Sequence, residues 1–224
     1  AGWGSDALIF MEGDPETSFK APRVQSIEGG PFSVVLKDFN HDNALDIAVS
    51  LMASHEIAVL RGDDAGNFVE VQRFSSRGRL PHRLLSTDIN QDGQTDLVVS
   101  HKYTDDSIVI FYGDGDFSFP VSQEILLGSD RDVLLHEIRD ISIGDFNQDG
   151  FPDIAAACFA SAQVITLTSD RSKNKSFLEF KQDHYTFKGG RPRALCVADL
   201  NNDGSDDIAV ALWDLNAVGL LLNE

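Results

Sequence analysis

The stretch DLNNDGSDDIAVA, from Asp199 to Ala211, places four aspartates and two asparagines directly before an apolar run. Its first nine residues follow the pattern D-x-N-x-D-G-x-x-D, and the positions of this loop are numbered 1 to 9 below. Clustered carboxylates repel one another unless a cation neutralises them. The stretch therefore predicts a cation-binding turn that leads straight into a buried strand.

The same pattern occurs four times in the chain. The copies begin at Asp38, Asp88, Asp145 and Asp199, with spacings of 50, 57 and 54 residues. Position 6 is glycine in three copies and Asn43 in the first copy, which indicates a sharp turn with positive φ. Self-similarity at a period of this length predicts a repeat architecture.

Each repeat predicts a four-stranded antiparallel meander. Pro31, Pro81 and Pro192 each stand seven residues before the first aspartate of a loop, where proline is tolerated as the first residue of a strand. The loop then joins the first strand to the second, and a Gly-Asp turn joins the third strand to the fourth. The second strand is apolar on both faces, so we expect the sheet to be covered on both sides. Four-stranded sheets repeated radially form the blades of a β-propeller, which is the all-β fold we predict.

The chain divides into blades as one continuous propeller region. The predicted boundaries are a partial blade at 1–25, full repeats at 26–76, 77–128 and 129–188, and an incomplete repeat at 189–224. About four blades are thus present, and we expect them to be a portion of a larger ring. A closed four-bladed ring and assembly with a second chain stay open as alternatives.

A hard cation explains the carboxylates. Ca²⁺ takes about six to eight oxygen ligands from carboxylates, amides, backbone carbonyls and water. Oxygen-only ligation disfavours zinc and copper. An EF-hand is excluded because position 12 is Val or Ala instead of Glu and because the flanks read as strands. About four Ca²⁺ ions are expected per chain, with side chains at positions 1, 3, 5 and 9 and the backbone carbonyl at position 7 as ligands. The predicted ligands are Asp38, Asn40, Asp42, Ala44 and Asp46; Asp88, Asn90, Asp92, Gln94 and Asp96; Asp145, Asn147, Asp149, Phe151 and Asp153; and Asp199, Asn201, Asp203, Ser205 and Asp207.

These loops, with the downstream Gly-Asp turn and its following Phe, resemble the FG-GAP/VCBS repeat. That repeat forms the blades of the integrin α-subunit propeller and of many secreted proteins, including several lectins. The resemblance covers nearly the whole chain and implies a propeller whose loops bind Ca²⁺ on one face. The triplet Arg61-Gly62-Asp63 lies in the recurring Gly-Asp turn, and the other copies keep Gly-Asp without the arginine, which favours a structural role over adhesion.

The loops between second and third strands lie on the opposite face of the ring. One equivalent position in these loops carries Trp3, Met52, Tyr103, Phe159 and Trp213. Aromatic rings in this place can stack on sugars or grip a protein partner, and they can equally serve only to pack blades together. We treat the five as tentative ligand-binding residues.

Charge and missing motifs narrow the function. A net charge of −18 disfavours nucleic acid and anionic membranes as partners, and no apolar run is long enough to span a membrane. The histidines share no repeat position, and no nucleophile, metalloprotease or phosphate-loop motif is present, so we expect no enzyme. Both cysteines, Cys158 and Cys196, lie in apolar runs and are expected to be buried thiols.

The expected function is a calcium-stabilised extracellular binding module. The weak Ca²⁺ affinity typical of extracellular modules favours a secreted location. The ligand is expected to be a glycan or a protein, bound on the face opposite the calcium loops. Two alternatives stay open: an accessory propeller domain of a secreted enzyme, and an integrin-like adhesion or assembly protein.

Overall fold

The computed structural model describes residues 4–16, 18–63, 65–102, 106–127, 136–170 and 177–223. Within these ranges the chain consists of β-strands, turns and one short 3₁₀ turn at Trp213–Leu215. The predicted all-β class is confirmed. Trp3 and Tyr103, two of the tentative ligand-binding residues, lie outside the described ranges.

The strands form successive antiparallel sheets in chain order. In the first segment β1 (Ala7–Phe10) pairs with β4 (Arg23–Ser26), and the short strands β2 (Gly13–Asp14) and β3 (Ser18–Phe19) form a hairpin between them. The first full sheet contains β5 (Pro31–Lys37), β6 (Asp46–Leu51), β7 (Glu56–Gly62) and β8 (Phe68–Ser75). The second contains β9 (Pro81–Thr87), β10 (Asp96–His101), β11 (Ser107–Tyr112) and β12 (Val121–Leu126). The third contains β13 (Ile138–Gly144), β14 (Asp153–Cys158), β15 (Gln163–Asp170) and β16 (Glu179–Thr186). The last contains β17 (Pro192–Ala198), β18 (Asp207–Leu212) and β19 (Ala217–Leu221).

The predicted meander and the predicted role of proline are both confirmed. Each full sheet has four strands in sequential order, and Pro31, Pro81 and Pro192 are the first residues of β5, β9 and β17. Proline is tolerated there because a first residue need not donate a ladder hydrogen bond. The conserved spacing from proline to the loop therefore fixes where each first strand begins.

The hydrophobic core lies between neighbouring sheets. Every residue of β6, β10 and β14 is buried, because these second strands are covered on both faces. The expectation fails for β18, the second strand of the last sheet, where Ala211 is exposed. The largest cluster joins the second and third sheets and includes Val98, Ile110, Ile154 and Ile165. The first strands β5, β9, β13 and β17 contact one another in turn, so they lie along the inner edge of the stacked sheets. This stacking of four-stranded sheets is that of propeller blades.

A β-bulge recurs near the start of every first strand. The register shifts between Pro31 and Val34 in β5, between Ile138 and Asp140 in β13, and between Pro192 and Ala194 in β17. In β9 the shift lies opposite the segment of β10 from Val99 to His101. These bulges lie at the end of the strand remote from the acidic loops. The bulge arc is defined here as the residue that follows the first residue of each inner strand: Phe32, His82, Arg139 and Arg193.

The two cysteines differ in environment. Cys158 is a buried thiol in β14, as expected, and burial raises its pKa. The expectation is wrong for Cys196, which is exposed on β17. Leu195 and Val197 on either side of it pack into the cluster shared with the third sheet, so strand alternation turns Cys196 to the opposite face. Both cysteines are free.

Candidate functional site

The four loops share one backbone conformation. At position 6, φ is 70° at Asn43, 88° at Gly93, 82° at Gly150 and 93° at Gly204, which confirms the predicted left-handed turn. Position 4 is also left-handed in every loop, and this was not predicted because no glycine marks it. The residues at position 4 are His41, Gln91, Gln148 and Asn202, with φ between 56° and 60°.

Hydrogen bonds draw positions 1, 3 and 5 together. In the second loop, Asp88 accepts from the backbone N–H groups of Asp92 (3.0 Å) and Gly93 (2.9 Å). Asp92 accepts from the Gln94 backbone N–H (2.8 Å) and from the Asn90 side-chain amide (2.8 Å). The same contacts recur in the other three loops. Positions 1, 3 and 5 of each loop are thus neighbours in space.

The aspartate at position 9 ties the loop to the far end of the third strand. Asp96 is fully buried and accepts from the backbone N–H of Ile89 at position 2 (3.0 Å) and of Gly113 after β11 (2.9 Å). The three equivalent residues, Asp46, Asp153 and Asp207, are also fully buried and make the same pair of contacts. The sequence predicts these residues as ligands but does not reveal this structural role.

Burial changes the acidity of these aspartates. Desolvation raises the pKa of Asp96 and of Asp153 to about 6 and raises that of Asp46 also, although backbone N–H donors oppose the shift. A carboxyl whose folded-state pKa is raised holds its proton more tightly in the folded than in the unfolded chain. In the metal-free chain its ionised form therefore destabilises the fold as the pH rises through the folded-state pKa. A bound cation would remove this cost.

The donor set fits Ca²⁺ in chemical type. Each loop offers carboxylate, amide and backbone carbonyl oxygens and no sulfur or imidazole at the predicted ligand positions, which suits a hard cation. In the described ranges, no three Asp, Glu, His or Cys side chains are gathered as a metal cluster. The carboxylate oxygens instead face N–H groups of their own loop, as at Asp88 and Asp92. Each such oxygen keeps a second lone pair that a cation can use.

Neighbouring loops are joined through position 4. The side chain of His41 contacts Gln94 of the next loop (Nε2 to Oε1, 2.9 Å). Gln91 donates to the Gly150 carbonyl (2.6 Å), and Gln148 donates to the Ser205 hydroxyl (2.6 Å). These contacts, named here the loop chain, link each loop to position 6 or 7 of the loop that follows it in sequence. Position 7 is a predicted ligand, so the loop chain reaches the predicted ligand positions directly.

The Gly-Asp turn has a structural explanation. A Cβ on Gly62 or Gly113 would collide with the backbone carbonyl oxygen at position 8 of the preceding loop, that of Leu45 or Thr95. In the same turn, Asp63 accepts from the backbone N–H of Ala65 (2.9 Å) and of Asn67 (2.8 Å). The Gly62-Asp63 pair is therefore required by the blade itself, which supports the structural interpretation of the Arg-Gly-Asp triplet.

Replacing Gly113 by alanine is expected to lower the free energy of unfolding by about 1 to 3 kcal/mol, because the added methyl group must displace backbone. Urea unfolding at neutral pH measures this. Gly13→Ala is the matched control, since a Cβ at Gly13 meets no atom within 4 Å and its φ is not positive. Equal effects of the two substitutions would contradict the collision argument.

The opposite face is rich in arginine–aromatic contacts. Met52 and Phe159 are buried, and Phe159 lies between the guanidinium groups of Arg139 (4.8 Å) and Arg191 (4.4 Å). Trp213, at the equivalent position, is 57% exposed and has Arg193 at 4.7 Å from its ring. Of the three described members of the predicted aromatic set, Trp213 alone offers its ring to solvent. The guanidinium groups of Arg139 in the same blade and of Arg191 in the next blade occupy the place where a ligand was expected to contact Phe159.

His82 lies near the start of β9, at the end of the strand remote from the acidic loops. Its ring contacts that of Phe32 in the preceding blade at a tilt of 34°, with 4.3 Å between ring centroids. Burial, together with a smaller contribution from nearby cations, lowers the pKa of His82 to about 4. These cations are Lys102, Arg139, Arg83 and Arg193.

His82 should make the fold sensitive to acid. Because its folded-state pKa lies below the value of an unfolded histidine, stability is complete above about pH 6.5 and falls as the pH drops towards 4. At pH 5 the free energy of unfolding should be lower than at pH 7, and His82→Phe, which copies Phe32 in the preceding blade, should restore about 1 to 2 kcal/mol of this difference. Urea unfolding of both chains at pH 7 and pH 5 checks this, and an unchanged pH dependence in the variant would contradict it.

The stacked four-stranded blades with acidic loops between first and second strands define a repeat β-propeller. A family model described as an FG-GAP-like repeat matches residues 88–156 and 145–210, and the chain belongs to this family. No curated protein matches the sequence. None of the helical structure in the described ranges is long and apolar enough to cross a membrane.

Solved structures with the same fold have low sequence identity. The structure of BBS1N in complex with ARL6DN matches with a TM-score of 0.59 and 12% identity, covering 85% of this chain and 53% of that one. A Lactobacillus plantarum protein matches with a TM-score of 0.64 and 12% identity, covering 98% and 65%. A Bacteroides uniformis protein, provisionally named a 6-phosphogluconolactonase, matches with a TM-score of 0.61 and 12% identity, covering 96% and 62%. The chain thus spans between half and two thirds of these proteins, and the likeness shows the fold alone.

Proposed function

We propose that this chain is a calcium-stabilised, non-catalytic binding module of an extracellular protein. The observation that carries the proposal is the fourfold repetition of one oxygen-rich loop with one backbone conformation and one hydrogen-bond pattern. A turn does not need this many carboxylates, whereas a Ca²⁺ site does. When bound, the ion would supply the positive charge that neutralises positions 1, 5 and 9.

The proposed role of calcium is structural. Positions 1, 3 and 5 would hold the ion from the exposed side of the loop, and position 9 from the start of the second strand. Because the position 9 carboxylate also accepts the N–H that follows the third strand, holding it in place would stiffen three strands at once. Extracellular Ca²⁺ is abundant enough for weak sites of this kind, which supports the extracellular location.

The ligand-binding surface in this proposal is the face opposite the calcium loops. It carries exposed Trp213 and the arginine–aromatic contacts around Phe159, which suit either a glycan or a protein partner. A structural neighbour, BBS1N, is a propeller solved in complex with ARL6DN, and this supports partner binding as a use of the fold. The lactonase name belongs to a protein that shares only the fold, so it assigns no catalysis to this chain.

Metal counting tests the proposal. After dialysis against millimolar Ca²⁺, we expect close to one ion per loop, that is four per chain, by elemental analysis. Asp92→Ala and Asp203→Ala, at position 5 of two loops, should each remove one ion. Glu124→Gln, an exposed carboxylate on β12, is the control that should keep the full count. A wild-type chain without bound Ca²⁺ would overturn the proposal.

A further inference from the structure

The bulge arc is built in the same way in all four described blades. A β-bulge places an extra residue in the first strand at the same height each time, as the register shifts in β5, β9, β13 and β17 show. Bulges re-aim side chains and are over-represented next to functional sites. Here they fall on Phe32, His82, Arg139 and Arg193, one from each successive blade.

The surroundings of the arc are cationic although the chain carries a net charge of −18. The charged side chains with the largest electrostatic effect on the His82 ring all carry positive charge: Lys102, Arg139, Arg83 and Arg193. They come from three neighbouring blades, and all four act electrostatically on the same ring. The carboxylates of the calcium loops lie at the other end of the first strands and do not offset this local charge.

The carboxylates near the arc compensate for some of these cations and leave one uncompensated. Arg83 pairs with Asp140 (3.2 Å), and Arg139 pairs with Glu137. Arg193 is exposed and has the Trp213 ring as its neighbour, with no carboxylate partner among the described residues. The Arg83 side chain is half exposed in this ion pair, so its guanidinium can also bind a ligand.

Two buried polar atoms of the arc have no partner within the described part of the chain. They are Nδ1 of His82 and Nε of Arg139. Buried polar atoms nearly always have a hydrogen-bond partner, so each exception needs an explanation such as a ligand or an ordered water. Arg139 Nε carries a proton and can only donate, and a neutral imidazole can carry its proton on Nδ1. Both atoms therefore suit an acceptor.

We propose that the bulge arc binds an oxyanion, a carboxylate or a sulfate group, of the ligand. Arg193 supplies the uncompensated charge, Arg139 and His82 supply buried donors, and the exposed edge of Phe32 supplies an apolar contact beside them. Charge-assisted hydrogen bonds from guanidinium to such groups are among the strongest available to a protein. The inference rests on the proposed function only in taking this face as the ligand-binding face.

Nuclear magnetic resonance titration of the whole chain tests the arc, with sodium sulfate, sodium glucuronate and neutral glucose as probes at constant ionic strength set by sodium chloride. We expect sulfate or glucuronate to shift the Arg139 Nε–H signal and glucose to leave it unchanged. Arg193→Gln should weaken oxyanion binding about tenfold or more, since it removes one charge-assisted contact. Lys181→Gln, on the outer strand β16, removes the same charge elsewhere and should leave the affinity unchanged.

The sulfate and glucuronate arms separate the two sources of the oxyanion, and saturable binding of either supports the proposal. It is overturned if neither probe shifts the Arg139 signal, or if Arg193→Gln and Lys181→Gln weaken binding equally while both variants unfold at the wild-type temperature. The calcium count is independent of these readings. A chain that binds calcium but no oxyanion overturns the arc alone, and a chain that binds oxyanions without calcium overturns the calcium proposal alone.

Discussion

Asp96→Ala is expected to destabilise the chain by about 3 kcal/mol even without calcium. The substitution leaves the buried N–H groups of Ile89 and Gly113 without an acceptor, and each orphaned donor costs about 1 to 3 kcal/mol. Removing a carboxylate whose burial is itself unfavourable offsets part of this cost. Urea unfolding in EGTA at pH 7 measures the difference.

Asp92→Ala separates the two roles of the loop. Asp92 is exposed, and in EGTA its loss should change the free energy of unfolding by less than about 1 kcal/mol. In calcium, both variants should lose the stabilisation that one loop provides. If Asp92→Ala were as harmful as Asp96→Ala in EGTA, position 9 would have no structural role of its own.

Removing calcium from the wild-type chain is expected to have the largest effect. With about 10 mM Ca²⁺ and dissociation constants of about 10⁻⁴ to 10⁻³ M, each filled site adds about 1 to 3 kcal/mol to the free energy of unfolding. Four independent sites would add about 6 kcal/mol or more. Thermal and urea unfolding with Ca²⁺ and with EGTA should show this, together with a midpoint that depends on Ca²⁺ concentration.

Magnesium is the control for calcium removal. Mg²⁺ demands a tighter octahedral shell and gives up its water reluctantly, so at equal concentration it should stabilise the chain much less. The increment from calcium should also shrink in acid, because protons compete for the ligand carboxylates. Equal stabilisation by both cations would indicate general charge screening and would count against specific sites.

The blade and its loop could be predicted from the sequence because both are local. The spacing of the four loops predicted the repeats, proline predicted the first residue of a strand, and glycine or asparagine predicted the turn at position 6. The left-handed residue at position 4, such as Gln91, carried no such mark, because the residue type there varies between the loops and is never glycine.

Features that depend on how blades stack could not be predicted. The burial of Phe159 follows from Arg139, which reaches its ring from another strand of the same blade, and from Arg191, which reaches it from the next blade. The exposure of Cys196 follows from the alternation of β17 relative to one neighbouring sheet. The bulge arc is defined by the pairing register between two strands, and this register cannot be predicted from the amino-acid composition of either strand alone.

All contacts of the loop chain have the same orientation along the sequence. Each contact runs forward, from position 4 of one loop to the loop that follows it, as Gln91 and Gln148 show. The stability of a repeat protein is approximately the sum of the stability of each repeat and the interaction energy between neighbouring repeats, and these contacts contribute to the interaction energy. Emptying one loop would therefore loosen the side chain of the loop before it more than that of the loop after it, so the effect of metal loss would pass from each loop to the preceding one, against the sequence order.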